Sequence, residues 1–564
     1  MTVNNLPEER VKTVGEQVCK YDVVIVGAGF GGLYALHHLR NDCGFSVKAY
    51  DVAGGVGGTW YSNRYPGARV DIESVEYSYS FSYELQQEWE WTERYPSQKE
   101  VLKYLNHIAD RFDLRRDIQL NTRVTSTIFD EETNQWLVET DNGEQVRAKF
   151  VIMATGFVSA PNKPNFKGIE TFKGKQYHTA KWPHEGVDFT GQRVAVIGTG
   201  SSAIQSIPFI ANEAAQLTVF QRTPAYIVPL RNCPLSPEYL KSVKANYGKW
   251  RRIERTAFGG YVAQNFEPRL PNSKLALEVT LEERLADYEN RYNSGGLCYY
   301  NTFPDVFTNR EANDTLAEFI RAKMGERISN RNIAEKLIPK NYPILMKRLV
   351  ADNNYLETFN QDNVSLIDVK ESPIERITPD GIMVEGKEYE FDTIVFATGF
   401  DAVTGAMTRI DIRGRDNQSL QEYWENGPRN YLGFMISGFP NLFMLDGPGS
   451  PGAFYQPVLL NEYQAKWVGS CLEFMSVKGI TSIEPNIKAE NEWVTHSTEV
   501  ADQTLLPQAD SWYMGANIEG KARVSLMYIG GFPNYKRQCD ASAVNEYKGF
   551  LLSNTTENMI QASK

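Results

Sequence analysis

Short apolar runs ending in glycine punctuate this chain, and helical spacing follows them. Tyr21-Asp-Val-Val-Ile-Val26 reads as a buried strand, Gly27-Ala-Gly29-Phe-Gly-Gly32 as a turn, Leu33 to Leu39 as a helix, and Val47-Lys-Ala-Tyr50 as the next strand. The order returns at Val194-Ala-Val-Ile197, Gly198-Thr-Gly200-Ser201-Ser202-Ala203, a helical stretch, and Leu217-Thr-Val-Phe220. Two more runs, Val151-Ile-Met-Ala154-Thr155-Gly156 and Ile394-Val-Phe-Ala397-Thr398-Gly399, each predict a buried strand closed by a glycine turn. Between about 232 and 335 charge-rich stretches with helical spacing, such as Leu275 to Tyr288, predict a helical insertion. Residues 1–20 are polar and read as a flexible leader. The pattern predicts an α/β chain with two βαβ units of Rossmann type.

Composition narrows the function. With 564 residues, 42% hydrophobic and 23% charged, the chain can bury several cores. Its net charge of −11 argues against nucleic acid or an anionic membrane surface as partner. Six cysteines are scattered without any CxxC, which weighs against a disulfide-reductase redox pair and predicts reduced thiols in a cytoplasmic protein. No apolar stretch reaches membrane-spanning length, and the N-terminus lacks the apolar segment of a secretory signal. The six histidines (37, 38, 107, 178, 184 and 496) form no ligand cluster, so no metal is expected.

The two glycine turns share one physics. Gly27, Gly29 and Gly32, like Gly198 and Gly200, allow a tight turn and close backbone approach to a pyrophosphate, which the helix N-terminus attracts. Ala203 replaces the third glycine of the second turn, and Ser201-Ser202 belongs to that phosphate-binding turn rather than to a nucleophile elbow. The position that reads the ribose separates the sites. Asp51 lies 24 positions after Gly27, where a carboxylate accepts from ribose hydroxyls and repels a 2′-phosphate. The same step from Gly198 reaches Arg222, a fixed cation suited to a 2′-phosphate, with the Thr223 hydroxyl beside it. FAD is therefore expected at the first turn and NADPH at the second. A bland reading stays open for Arg222, as a side chain lying over a strand end.

Two longer segments carry a family resemblance. Phe172-Lys-Gly174-Lys-Gln-Tyr-His178-Thr-Ala-Lys-Trp182-Pro183 precedes the second turn, and Gly57-Gly58-Thr59-Trp60, Tyr65-Pro66-Gly67 and Asp71 follow the first. Both segments resemble signatures of type I Baeyer–Villiger monooxygenases, enzymes that convert ketones to esters or lactones with NADPH, FAD and O2. The resemblance runs from about residue 20 to 550 and is strongest to the phenylacetone and steroid monooxygenase branch. It implies a discontinuous FAD domain, 21–155 and 398–564, enclosing an NADPH domain, 156–397, with the chain crossing at the two ATG segments.

Roles carried over from the family follow the matching positions. Arg348, in Lys347-Arg348, stands where the family's catalytic arginine stands; Asp71 is its partner, and Lys347 a second contact to the 2′-phosphate. Arginine suits a reaction passing through an anionic C4a-peroxyflavin and a tetrahedral adduct, because it is a permanent cation. Gly58, Thr59, Trp60 and Tyr65 are implied to lie near the flavin, with core packing as the alternative for the two aromatics. His178 is implied to organise the linker, not to act as acid or base. Trp512, in Ser511-Trp512-Tyr513, resembles a loop that closes over bound nicotinamide, and Phe454 and Tyr455 are expected in the substrate pocket. Phe157-Val158 departs from the usual family residues after Gly156. Amine or sulfide oxygenation, with sulfoxidation as a side activity, is the first alternative, and an FAD/NADPH-binding redox sensor the second. Trp182 favours ketones, since amine- and sulfide-oxygenating relatives usually carry Tyr or Phe there.

Overall fold

The computed structural model describes residues 19–261 and 272–554. Its framework is, in chain order, β1 (Cys19–Val26), α1 (Phe30–His37), β2 (Val47–Tyr50), β3 (Ile118–Gln119), β4 (Val124–Asp130), β5 (Gln135–Thr140) and β6 (Gln145–Met153). Then come β7 (Lys175–His178), β8 (Arg193–Ile197), α2 (Ser201–Glu213), β9 (Gln216–Gln221), β10 (Val364–Asp368) and β11 (Thr393–Phe396). The remaining pieces are β12 (Asp411–Arg413), β13 (Leu442–Met444) and α3 (Pro457–Lys478).

Two sheets result. The first is eight-stranded, in the order β12-β4-β5-β6-β1-β2-β3, with β13 also paired to β6. It draws its strands from 19–153 and 411–444. β6 is long enough to pair β1 along one edge and, along the other, β5 first and then β13, whose Leu442–Met444 lie parallel to Val151–Met153. The second sheet, β10-β9-β8-β11-β7, is parallel throughout. Its central strands β8 and β11 read as near-continuous apolar runs because both faces are covered, Val194 and Val196 facing one core and Ala195 and Ile197 another.

Two details differ from the sequence reading. β1 opens at Cys19, inside the expected leader, because Cys19 and Lys20 find register partners in Val146 and Arg147; residues 1–18 of that leader lie outside the described residues. The helix expected from Leu275 begins at Leu281, where Thr280 and Glu283 form a capping box. It belongs to an insertion of helices Pro237–Thr256, Leu281–Ser294, Arg310–Glu326 and Arg331–Leu337; the first packs Val243 and Tyr247 into the core of the first sheet and the other three into that of the second.

Candidate active site

Both dinucleotide turns are steric necessities. At Gly27, φ is +114°, and a Cβ would lie 2.3 Å from the Ala154 carbonyl oxygen at the end of β6. At Gly198, φ is +116°, and a Cβ would lie 2.4 Å from the Ala397 oxygen at the end of β11. Each ATG segment therefore ends against a glycine turn, which explains why the two sequence patterns come in pairs. A side chain on Gly58 would come 2.9 Å from Gly29 Cα, so these two glycines make a bare backbone wall in front of α1. Nothing lies within 4 Å of the Cβ position of Gly200. Such bare backbone at helix N-termini fits the pyrophosphate of a dinucleotide at each turn.

The two positions expected to read the ribose differ in setting as well as in charge. Asp51 accepts from Ala28 N at 2.7 Å and from Ala53 N at 2.8 Å. Burial lifts its carboxyl above the usual range although both amides oppose this. Arg222 is exposed at the end of β9, and Thr223 receives the Thr199 hydroxyl on its carbonyl at 2.9 Å. Lys347 sits over the Tyr342 ring, 4.7 Å from its centroid. Desolvation brings its pKa down to about 8; Asp510 opposes this, while Arg222, Lys370 and Arg523 add to it. The structure thus gathers Arg222 and Lys347 with two cations that the sequence reading missed. Lys370 could have been found from β10, which lies parallel to β9 and brings Val369 N onto Gln221 O. Arg523, paired with Asp510 at 2.8 Å, left no local signal.

Arg348 and Asp71 meet in a two-point ion pair, Nε to Oδ2 at 3.1 Å and Nη2 to Oδ1 at 2.7 Å. Desolvation works against the guanidinium charge, but Asp71 and the phenols of Tyr300, Tyr513 and Tyr261 outweigh it, so the group stays protonated. The Ala453 carbonyl receives the Tyr261 hydroxyl at 3.2 Å and faces Arg348 Nη1 at 3.5 Å. The three tyrosines were missed in the sequence because they come from separate segments.

Around this pair the signature segments serve as joints. Gly67, with φ +79°, lies so close to α2 that a Cβ would stand 2.3 Å from the Gln205 oxygen. Tyr65 donates to the Gln205 side chain at 2.9 Å. Trp60 donates to the Tyr77 hydroxyl at 3.0 Å and packs on it edge-on, while Thr59 is exposed at the start of a short helical turn. His178 accepts from Ala180 N on Nδ1, leaving Nε2–H to donate toward Asn162 O and Thr398 Oγ1, both at 3.2 Å. Burial holds its pKa down, so the ring is neutral and ties the linker to the second ATG segment. Trp182 is buried between Tyr177 and Phe189, next to Pro183; Phe172 fills a core, and a Cβ on Gly174 would strike the Asp392 oxygen at 2.5 Å.

The loop residues divide. Trp512 stacks parallel to Phe157, centroids 6.2 Å apart. Phe454 packs on Tyr513 at 4.6 Å, close to Arg348. Tyr455, expected with Phe454 in the pocket, is instead fully enclosed and stacked on Phe532 at 4.0 Å. The short helical turn Gly452–Phe454 ends there, and the extended backbone of Tyr455 points its ring into the core. Among the described residues, no group of three His, Cys, Asp or Glu could hold a metal, and all six cysteines are free.

Residues 24–248 match the pyridine nucleotide-disulphide oxidoreductase family model. A Baeyer–Villiger monooxygenase of Pseudooceanicola batsensis is 42% identical, covering 98% of this chain and 100% of its own. An oxidized steroid monooxygenase bound to NADP superposes with a TM-score of 0.89 at 48% identity, over 94% of this chain and 99% of that one. The OTEMO complex with FAD and NADP gives 0.90 at 40%, over 95% and 100%. Two glycine turns of dinucleotide type, a two-point Arg348–Asp71 pair and likeness over nearly the full length converge, and this chain belongs to the Baeyer–Villiger monooxygenases.

Proposed function

We propose that Arg348, held by Asp71, is the catalytic group of this ketone-oxygenating flavoenzyme, and that Arg222, Lys347 and the first turn with Asp51 hold NADPH and FAD. The observation that carries this is the two-point ion pair, with its closest contact at 2.7 Å, walled by Tyr261, Tyr300 and Tyr513. When bound, FAD and NADPH supply the hydride and oxygen chemistry that no side chain has. The chain supplies charge and placement. As the ketone carbon becomes tetrahedral its oxygen gains negative charge, and a guanidinium that keeps its proton stabilises that oxygen without giving it up. Asp71 holds the plane of the guanidinium and balances its charge. The Phe157–Trp512 stack shields the pocket from water on the nicotinamide side. Phe454 borders the space in front of Arg348 and sets the bulk a ketone can carry, giving an ester or lactone. Six free cysteines support a reducing, cytoplasmic setting, and no described helix is long and apolar enough to cross a membrane.

The test is product analysis with NADPH, ¹⁸O2 and a panel of ketones, one amine and one sulfide. Labelled ester or lactone is expected, with sulfoxide as a minor product; label in the amine or sulfide alone would refute the ketone assignment. Arg348→Ala should lose ester formation by about 10²–10³-fold while still oxidising NADPH and releasing peroxide. An Arg348→Ala enzyme that still makes ester at the wild-type rate would remove Arg348 from the chemistry.

A further inference from the structure

Asp446 is a buried acid that the chemistry above leaves unused. It follows β13, where Leu445 N donates to Met153 O at 3.0 Å and so extends the pairing with β6 by one step. The next residue then turns into φ +55°, a region that side-chain-bearing residues avoid. The main chain is held there: Asp446 N donates to the Gln464 side chain at 2.6 Å, Gln464 donates to Tyr535 at 2.9 Å, and Tyr535 donates to Leu432 O at 2.8 Å. Only 6% of Asp446 is exposed, and its Oδ1 has no hydrogen-bond partner among the described residues. Burial pushes the carboxyl up to about 7. A strained backbone that delivers an unpaired carboxyl oxygen into a protein interior costs stability twice, and such a group calls for a partner that the surrounding side chains do not supply.

Its place between two fixed points identifies that ligand. On one side the preceding Leu445 lies beside α1: a Cβ on Gly31 would be 3.7 Å from Leu445 Cδ1, so Asp446 adjoins the first pyrophosphate turn. On the other, the Tyr77 hydroxyl, bonded to Trp60, feels the charges of Asp71, Asp446 and Arg348 together. The carboxyl therefore lies between the turn that takes the pyrophosphate and the ion pair at the reacting ring. In FAD that interval is spanned by the polyol chain, whose hydroxyls are donors in need of an acceptor. We infer that Asp446 is an FAD-binding residue of this chain, its carboxyl oxygen accepting a hydrogen bond from a hydroxyl of the flavin's ribityl chain.

The inference deepens the FAD reading, which retention of flavin by the wild type checks separately. Stripped enzyme is titrated with FAD, following the quenching of flavin fluorescence, and apo and FAD-bound forms are melted. Asp446→Ala should bind FAD about tenfold or more weakly and Asp446→Asn, which keeps an acceptor, much less so. The alanine apoenzyme should melt no lower than the wild-type apoenzyme, while the rise in Tm on adding FAD shrinks. Unchanged FAD affinity in Asp446→Ala, or an equal loss of Tm in the apo and FAD-bound forms, would overturn the assignment. A second arm needs no variant: 2′-, 3′- and 4′-deoxyribityl FAD analogues are titrated into wild-type apoenzyme. One of them should bind about tenfold more weakly than FAD, and equal affinity for all would also overturn the assignment.

Discussion

At Gly27 and Gly198 the chain leaves a parallel strand with nearly the same φ, +114° and +116°, and meets the end of a neighbouring strand at nearly the same distance. At the third turn position the two regions part. A Cβ on Gly32 would stand 1.9 Å from the Gly27 oxygen, whereas the second turn carries Ala203 there, fully buried and without strain. They part again 24 positions on, where Asp51 is tied to two amides and Arg222 stands exposed among cations. Backbone sterics make a dinucleotide turn, and on the proposed reading one charge and its neighbours decide which nucleotide it holds.

The first way to break the comparison is Gly32→Ala, which should cost about 3 kcal/mol or more and leave the protein short of flavin, as urea unfolding and flavin content would show. Next, Arg222→Ala with Lys347→Ala should weaken NADPH by about 10- to 100-fold and leave NADH almost unchanged. Equal loss for both nucleotides would make Arg222 a scaffold residue. A pH series sharpens the same point. With its pKa in the free protein near 8, a Lys347 that contacts the 2′-phosphate should take up a proton on binding, because the anion raises that value. NADPH affinity should therefore be full below pH 8 and fall as pH rises above it, and Lys347→Met should flatten the profile. Smallest is Ala203→Gly, expected to cost only about 1 kcal/mol in thermal unfolding, from lost helix propensity.

Much of this was legible in the residues themselves. The turns and the ATG strands are local patterns, and Asp51 and Arg222 sit at a fixed step along a βαβ unit, so spacing alone could place them. The pairing of Arg348 with Asp71 was legible only through family likeness, since 277 positions separate them. Local spacing could not supply contacts assembled from remote segments, such as Tyr261, Tyr300 and Tyr513 around the guanidinium, or Arg523 near Lys347. Tyr455 failed for a different reason: neighbours in a loop can face opposite ways, and one extended residue after a helical turn was enough to send its ring into the core. The late start at Leu281 was readable, because the capping box is written in Thr280 and Glu283.

Arg348 comes just before the strand Val350–Asp352, which pairs Ile227–Pro229 outside the second sheet, and Asp71 from the stretch that passes the first turn at Gly58 and crosses α2 at Gly67. Their 2.7 Å contact therefore measures alignment, like two halves of a vernier scale. Neither half can be tuned alone. A change at the joint, such as a side chain forced onto Gly67 where the Gln205 oxygen lies 2.3 Å away, would leave both nucleotide cradles whole while shifting the scale. In such a protein the fault would lie in timing: electrons would still be drawn from the nicotinamide, and the oxygen they activate would reach the ketone less often.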